Sequence, residues 1–347
     1  MASSRTQNAR PLLVCALAGF ILSAHSPAPR DPVQVFVLVG QSNMEGKGAI
    51  RHLDLLIEGE ETRATFRHLK RRGKWVERDD VFITYDHGEN DHRSGGLTVG
   101  YGSRKEQIGP ELGFGHVVGD AIAADVLLIK CAWGGASLAK DFLPPSAGGP
   151  GGHYTRMVAE VRAALEDIAD YVPGYRGRGY ELAGLVWFQG WNDSVGGGNP
   201  DYTEQLACFI RDVRAELEVP DLPVVIGELG QAGAKPESKK VIEFRRQQQA
   251  VAELDGLAGT VRYVPTGIYV DPRLQELFDV WQRCNGAARK AEDEEAKEAS
   301  WSDWNAVKDE YERSASDRPY HYHGSAKTFY LMGDAFGRAM LELLGED

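Results

Sequence analysis

The sequence predicts an α/β fold, a three-layer α/β/α sandwich on a parallel sheet. Two observations carry that expectation. Short apolar, β-branched runs alternate with longer helical patterns along most of the chain. The runs are also apolar at nearly every position rather than at every second one, as suits strands covered on both faces. Alternation of this kind places helices on both sides of one sheet. Of 347 residues 42% are hydrophobic, enough for a large core in a single domain.

Taken in order, Val33–Val39 (VQVFVLV) is the first strand, and Asp125–Ala132 (DVLLIKCA) is the second clear one. Ala183–Phe188, Pro223–Gly227 and Thr260–Val264 follow. Helical patterns occupy Gly113–Ala124, Tyr154–Ala169, Asp201–Leu217 and Glu237–Leu254, and Ser325–Leu344 is the last helix. Two stretches interrupt the rhythm and read as insertions carried on the sheet. Residues from about 49 to 107 are polar and glycine-rich, with an expected hairpin between Trp75–Val76 and Val81–Tyr85. Residues from about 272 to 316 are charged and helical. With residues 1–28 set aside, residues 30–347 read as one domain.

Residues 1–28 have the pattern of a signal peptide. Arg5 and Arg10 precede the uncharged apolar stretch Pro11–Ala24, and small and turn-forming residues follow. The stretch is short for a membrane span. The expectation is export to the periplasm or beyond the cell, with no membrane contact in the mature form. A net charge of −12 disfavours nucleic acid and anionic membrane surfaces as partners. The one basic run, residues 67–74, reads as a solvated face. Cys131, Cys208 and Cys284 follow the leader, with neither zinc-site nor disulfide-framework spacing. Cys131 and Cys208 read as small buried hydrophobes.

Four motifs stand at strand ends or before the last helix. Gly40-Gln41-Ser42-Asn43-Met44 ends the first strand, where open α/β sheets bind ligands. It differs from the Gly-x-Ser-x-Gly elbow because Met44 replaces the second glycine, and Ser42 could equally be a helix cap. Trp133-Gly134-Gly135 follows the second strand, where paired glycines allow close backbone approach. Gln189 and Asn192, in Trp187-Phe188-Gln189-Gly190-Trp191-Asn192-Asp193, are side-chain amides able to donate to a developing oxyanion. Before the last helix, Asp317 precedes His321 and His323. A histidine oriented by an aspartate suits a general base; the two histidines lack a third residue at metal-ligand spacing. Trp133, Trp187 and Trp191 suit the faces of sugars.

In this chain order the motifs resemble those of the SGNH hydrolases, within them the sialate O-acetylesterase and acetylxylan esterase group, carbohydrate esterase family six. The resemblance implies a flavodoxin-like sheet. It implies Ser42 as nucleophile and oxyanion N–H donor, Gly135 or Gly134 as second backbone donor, Gln189 or Asn192 as side-chain donor, and His321 as base. Two departures stand out. Trp191 replaces the glutamate usual after the Trp-x-Gln-Gly block, and Asp317 lies four residues before His321 rather than three. Asp317 is therefore one candidate acid, with Asp271 a more distant one. The implied activity is hydrolysis of acetyl esters on sugars or polysaccharides, with acetylated carbohydrate as partner and with no metal or organic cofactor. The alternative is a non-catalytic carbohydrate-binding protein on the same fold.

Overall fold

Strand β1 (Val33–Gly40) runs through the middle of a sheet in a computed structural model that describes residues 1–2, 31–88 and 90–346. The other strands are β2 (Val81–Asp86), β3 (His92–Gly96), β4 (Val126–Ala132), β5 (Tyr180–Phe188), β6 (Val224–Gly227) and β7 (Val261–Val264). Among the described residues the sheet order is β7-β6-β5-β1-β4-β2-β3. All neighbours are parallel except β3, which runs antiparallel to β2 at the edge. The sheet is thus mostly, not wholly, parallel. The expected leader, residues 1–28, lies almost entirely outside the described residues. Among the described residues no helix is long and apolar enough to cross a membrane.

The helices that frame the site and the cores are α1 (Ser42–Glu45), α2 (Pro110–Ala121), α3 (Gly152–Glu166), α4 (Tyr202–Glu216), α5 (Lys239–Ala250), α6 (Pro272–Ala288), α7 (Ser302–Glu312) and α8 (Ala326–Leu344); further helical segments among the described residues include Arg51–Glu58 and Glu294–Ala299. Alternate residues of β1 supply two cores, because successive side chains of a strand point to opposite faces. Val35, Val37 and Val39 join Met157 of α3, Phe209 of α4 and Phe244 of α5. Phe36 and Leu38 join Phe114 of α2 with Phe329 and Phe336 of α8. Two buried faces explain why the strand reads as an unbroken apolar run. A third small core, with Leu277, Phe278 and Tyr311, ties α6 to α7.

The expected hairpin is not formed. Lys74–Trp75 pairs with Lys70–Arg71, while Val81–Asp86 joins β4 on one side and β3 on the other. Val81, Phe82, Ile83 and Tyr85 are buried, so this segment belongs inside the sheet. Its antiparallel neighbour, HRSGG, offers mainly backbone to the ladder and carries no apolar pattern. Cys131 is buried, but Cys208 is only partly so, against expectation.

His52, His116 and His323 are buried, and burial, the largest cause in each case, pushes each down to about 4. All three pKa values lie below the unfolded value near 6.5, so the unfolded chain binds protons first as pH falls. Their stabilisation is complete above about pH 6.5 and is lost progressively down to about pH 4. Each contributes on the order of 2–3 kcal/mol across that window. Thermal midpoints from neutral pH to about 4.5 should therefore fall before the carboxylates titrate. A flat profile over that range would contradict the burial of these histidines.

Candidate active site

Three central strands end level with one another. Gly40 of β1 pairs with Ala132 of β4 and with Phe188 of β5. The segments that follow, 41–45, 133–135 and 189–193, therefore emerge side by side. Position 40 must be glycine, because a Cβ there would lie 2.2 Å from the Phe188 carbonyl oxygen. The chain then passes through extended Gln41 into the single turn of α1, which begins at Ser42.

Ser42 Oγ, at the edge of burial with 9% exposure, lies 3.0 Å from His321 Nε2. His321 Nδ1 donates to Asp317 Oδ2 at 3.2 Å. The four-residue spacing is bridged by an irregular loop. Arg318 is extended (φ −81°, ψ 160°), as a residue before proline prefers to be. Beyond His321, Tyr322 (φ 50°) and His323 (φ 57°) adopt the left-handed conformation, which costs a non-glycine residue free energy. Surrounding bonds hold them there. The His323 N–H donates to the Arg318 carbonyl at 3.0 Å, and the His323 carbonyl accepts from Ser316 N at 2.7 Å and Asp317 N at 3.0 Å. The Tyr322 hydroxyl accepts from Gly230 N at 2.9 Å.

Asp317 Oδ1 accepts the Arg318 N–H at 2.7 Å. Burial alone raises the pKa of the Asp317 carboxyl, but the hydrogen bonds from His321 and from the Arg318 backbone outweigh it and hold the group below its ordinary value. Asp271, the distant alternative, caps α6 through the Arg273 N–H instead. His323 turns into the core, where its Nδ1 meets the Tyr311 hydroxyl at 3.1 Å.

On the other side of Ser42 the candidate donors separate into two groups. The Gly134 N–H donates to Glu45 Oε1 at 2.6 Å and is committed there. Gly135 is exposed and left-handed (φ 75°), and among the described residues its N–H has no acceptor. Its carbonyl accepts from Asn192 Nδ2 at 2.6 Å. Asn192 is exposed, and its Oδ1 accepts from Gln41 Nε2 at 3.1 Å. Gln189 lies beneath the mouth, 2% exposed, with its amide nitrogen bonded to Gln41 Oε1, the Ala136 carbonyl and Asp193 Oδ2. Asp193 in turn accepts from Leu138 N, Ala139 N and Asn199 Nδ2. Gly134 and Gln189 therefore brace the loops, while Gly135 and Asn192 face solvent.

Sequence reasoning missed Gln41, Glu45 and Lys130. Glu45 is 4% exposed and accepts from Gly134 N, from Lys47 Nζ at 2.9 Å and from His87 Nε2 at 3.1 Å. Burial pushes its pKa up, and the Lys47 and His87 contacts more than reverse that. It thereby ties the nucleophile turn to the glycine loop. Lys130, paired with Glu111 at 2.7 Å in a fully buried contact, donates to the Glu45 carbonyl at 2.8 Å and supports that turn from below. A lysine inside an otherwise apolar strand was the available signal. Trp133 and Trp187 are 5% and 0% exposed and belong to the core, not to a sugar-binding face. Among the described residues no group of three or more His, Cys, Asp or Glu side chains is arranged to hold a metal ion.

A serine hydroxyl, an imidazole and a carboxylate in line, beside an unpaired backbone N–H, can perform acyl transfer. Residues 32–261 match the family described as "Carbohydrate esterase, sialic acid-specific acetylesterase". Ser42 and the 133–135 and 189–193 segments lie inside that span; Asp317 and His321 lie beyond it. A protein of Arabidopsis thaliana described as a probable carbohydrate esterase is 24% identical over 213 residues, covering 57% of this chain and 69% of that one. An X-ray structure of a protein from Arabidopsis thaliana superposes with a TM-score of 0.51 at 15% identity, covering 90% of this chain and 98% of the other, a likeness of fold. A carbohydrate acetylesterase from Xanthomonas citri gives a TM-score of 0.44 at 15% identity over 67% of this chain and 49% of its own.

Proposed function

This chain belongs to the carbohydrate esterase family of sialic acid-specific acetylesterases, and we propose that it removes acetyl groups from carbohydrate through a serine acyl-enzyme, as an SGNH-type hydrolase. The observation that carries the mechanism is the line from Ser42 Oγ to His321 Nε2 at 3.0 Å and from His321 Nδ1 to Asp317 at 3.2 Å. His321 takes the proton of the Ser42 hydroxyl as the oxygen attacks the ester carbonyl. The tetrahedral oxyanion is received by the N–H groups of Ser42 and Gly135 and by the Asn192 amide. On collapse the sugar oxygen leaves with the proton held by His321. Water, activated by the same imidazole, then releases acetate from Ser42.

With Val81–Asp86 and its antiparallel neighbour set aside as part of the insertion, the parallel strands β1, β4, β5, β6 and β7, counted one to five, lie across the sheet as 2-1-3-4-5, with the Ser42 strand where the winding reverses. That arrangement supports a flavodoxin-like sheet with the site at its switch point. The apolar leader supports export, and residues 30–347 are read as a single esterase domain.

The test is acetate release. Purified protein should liberate acetate from O-acetylated sugars and should be labelled at Ser42 by a fluorophosphonate, located by peptide mass. Binding to such sugars with neither acetate release nor labelling would overturn the esterase reading in favour of a non-catalytic binding protein.

A further inference from the structure

Two aromatic rings stand at the mouth of the site, and nothing in the acyl-transfer chemistry uses them. Trp191 directly precedes Asn192, and Tyr320 directly precedes His321. Their ring centroids are 5.5 Å apart at 33°. Tyr320 is 41% exposed, unusual for a large aromatic residue, and its ring also meets His321 edge-on at 4.5 Å. Trp191 is half-buried, one part of it resting on the core that contains Phe209 and Phe244. The Tyr320 carbonyl accepts from Asn43 Nδ2 at 3.3 Å, which ties this wall to the nucleophile turn.

Among the described residues the Trp191 and Tyr320 side chains make ring contacts, and neither the indole N–H nor the phenol hydroxyl has a hydrogen-bond partner in the protein. The wall therefore offers apolar ring surface together with unpaired polar groups. That combination matches a pyranose, whose C–H face stacks on aromatic rings while its hydroxyls hydrogen-bond at the rim.

We propose that Trp191 and Tyr320 form an aromatic wall that binds the pyranose ring bearing the acetate and so selects sugar esters over small acetate esters. This rests on the esterase reading above for the identity of the substrate, but the binding of sugar does not depend on catalysis. Trp191 and Tyr320 are specificity residues here, not members of the proton relay.

The experiment compares an O-acetylated pyranose with glyceryl triacetate, an aliphatic acetate without a ring. In Trp191→Ala and in Tyr320→Ala the ratio of kcat/KM for the sugar ester to kcat/KM for triacetate should fall about ten-fold, mainly through KM. Trp191→Phe and Tyr320→Phe should restore most of the ratio. In parallel, titration of the deacetylated pyranose into the wild-type protein should quench tryptophan fluorescence, and Trp191→Ala should lose that signal. An unchanged ratio, or an equal fall for both esters, would overturn the proposal; so would the absence of sugar binding to wild-type protein. If wild-type protein hydrolyses neither ester, the esterase reading fails. The aromatic wall then stands or falls on the fluorescence titration alone.

Discussion

Replacing Ser42 by alanine should lower kcat for acetate release roughly 10⁴-fold or more while leaving the fold and its melting temperature nearly unchanged. The hydroxyl has one hydrogen-bonding side chain beside it, His321 at 3.0 Å, and the residue sits at the margin of the interior with 9% exposure. Removing one oxygen atom there opens little cavity and strands no buried partner, because His321 Nε2 can bond to water. Catalysis has no comparable substitute. In the proposed mechanism there is no acyl-enzyme without Oγ, and what remains is the modest help that oriented N–H donors give to direct attack by water. Initial rates on an acetylated sugar and thermal melts of both proteins test the two halves separately. Turnover within about ten-fold of wild type would remove Ser42 from the mechanism. A large loss of melting temperature would instead show that the hydroxyl supports the turn.

How much of this was readable beforehand depended on what each residue type encodes by itself. Buried parallel strands announce themselves because both faces need apolar side chains, so Val33–Gly40 and Val126–Ala132 stood out. The edge strand His92–Gly96 did not, because a strand can be recruited through its backbone alone. The rule that ligands meet open sheets at the carboxyl ends of strands brings the segments of Ser42, Gly135 and Asn192 together; His321, before the last helix, was placed by the resemblance of its motif. Which amide faces the solvent was not encoded at that level. Gln189 and Asn192 are chemically alike, and Gln189 is held under the surface by tertiary partners: Gln41, the Ala136 carbonyl and Asp193 on its amide nitrogen and the Tyr202 hydroxyl on its Oε1 at 3.2 Å. Gly134 and Gly135 were likewise indistinguishable until Glu45 claimed one N–H and left the other open. Tryptophans at strand ends suggested a sugar platform, but the same ring area fills a core, as Trp187 does.

The acid is the member of the relay that spacing alone left open, and Asp317→Asn is the substitution that tests it most sharply. The wild-type carboxylate has a divided role: Oδ1 takes the Arg318 N–H at 2.7 Å and Oδ2 takes the His321 Nδ1 proton at 3.2 Å. An asparagine at 317 keeps its carbonyl oxygen on the Arg318 N–H, because that backbone donor can pair only with an acceptor. The amide nitrogen then points at Nδ1 as a donor. That favours the tautomer with the proton on Nε2, which cannot accept the proton of Ser42. In the proposed mechanism the carboxylate also stabilises the imidazolium that exists only as the reaction proceeds, so its loss would be felt in the transition state. Turnover should therefore fall by about 10²- to 10⁴-fold with little change in KM. Asp317→Ala should be less severe than Asp317→Asn, since alanine leaves the imidazole free to take either tautomer. The carboxyl is held below its ordinary value, so protonation of Asp317 should not limit activity above about pH 4. Measuring kcat and KM for both variants beside Asp271→Asn separates the possibilities. If Asp317→Asn turns over within about three-fold of wild type, or if alanine proves the worse substitution, the contact at 3.2 Å only shapes the loop and His321 works without that acid.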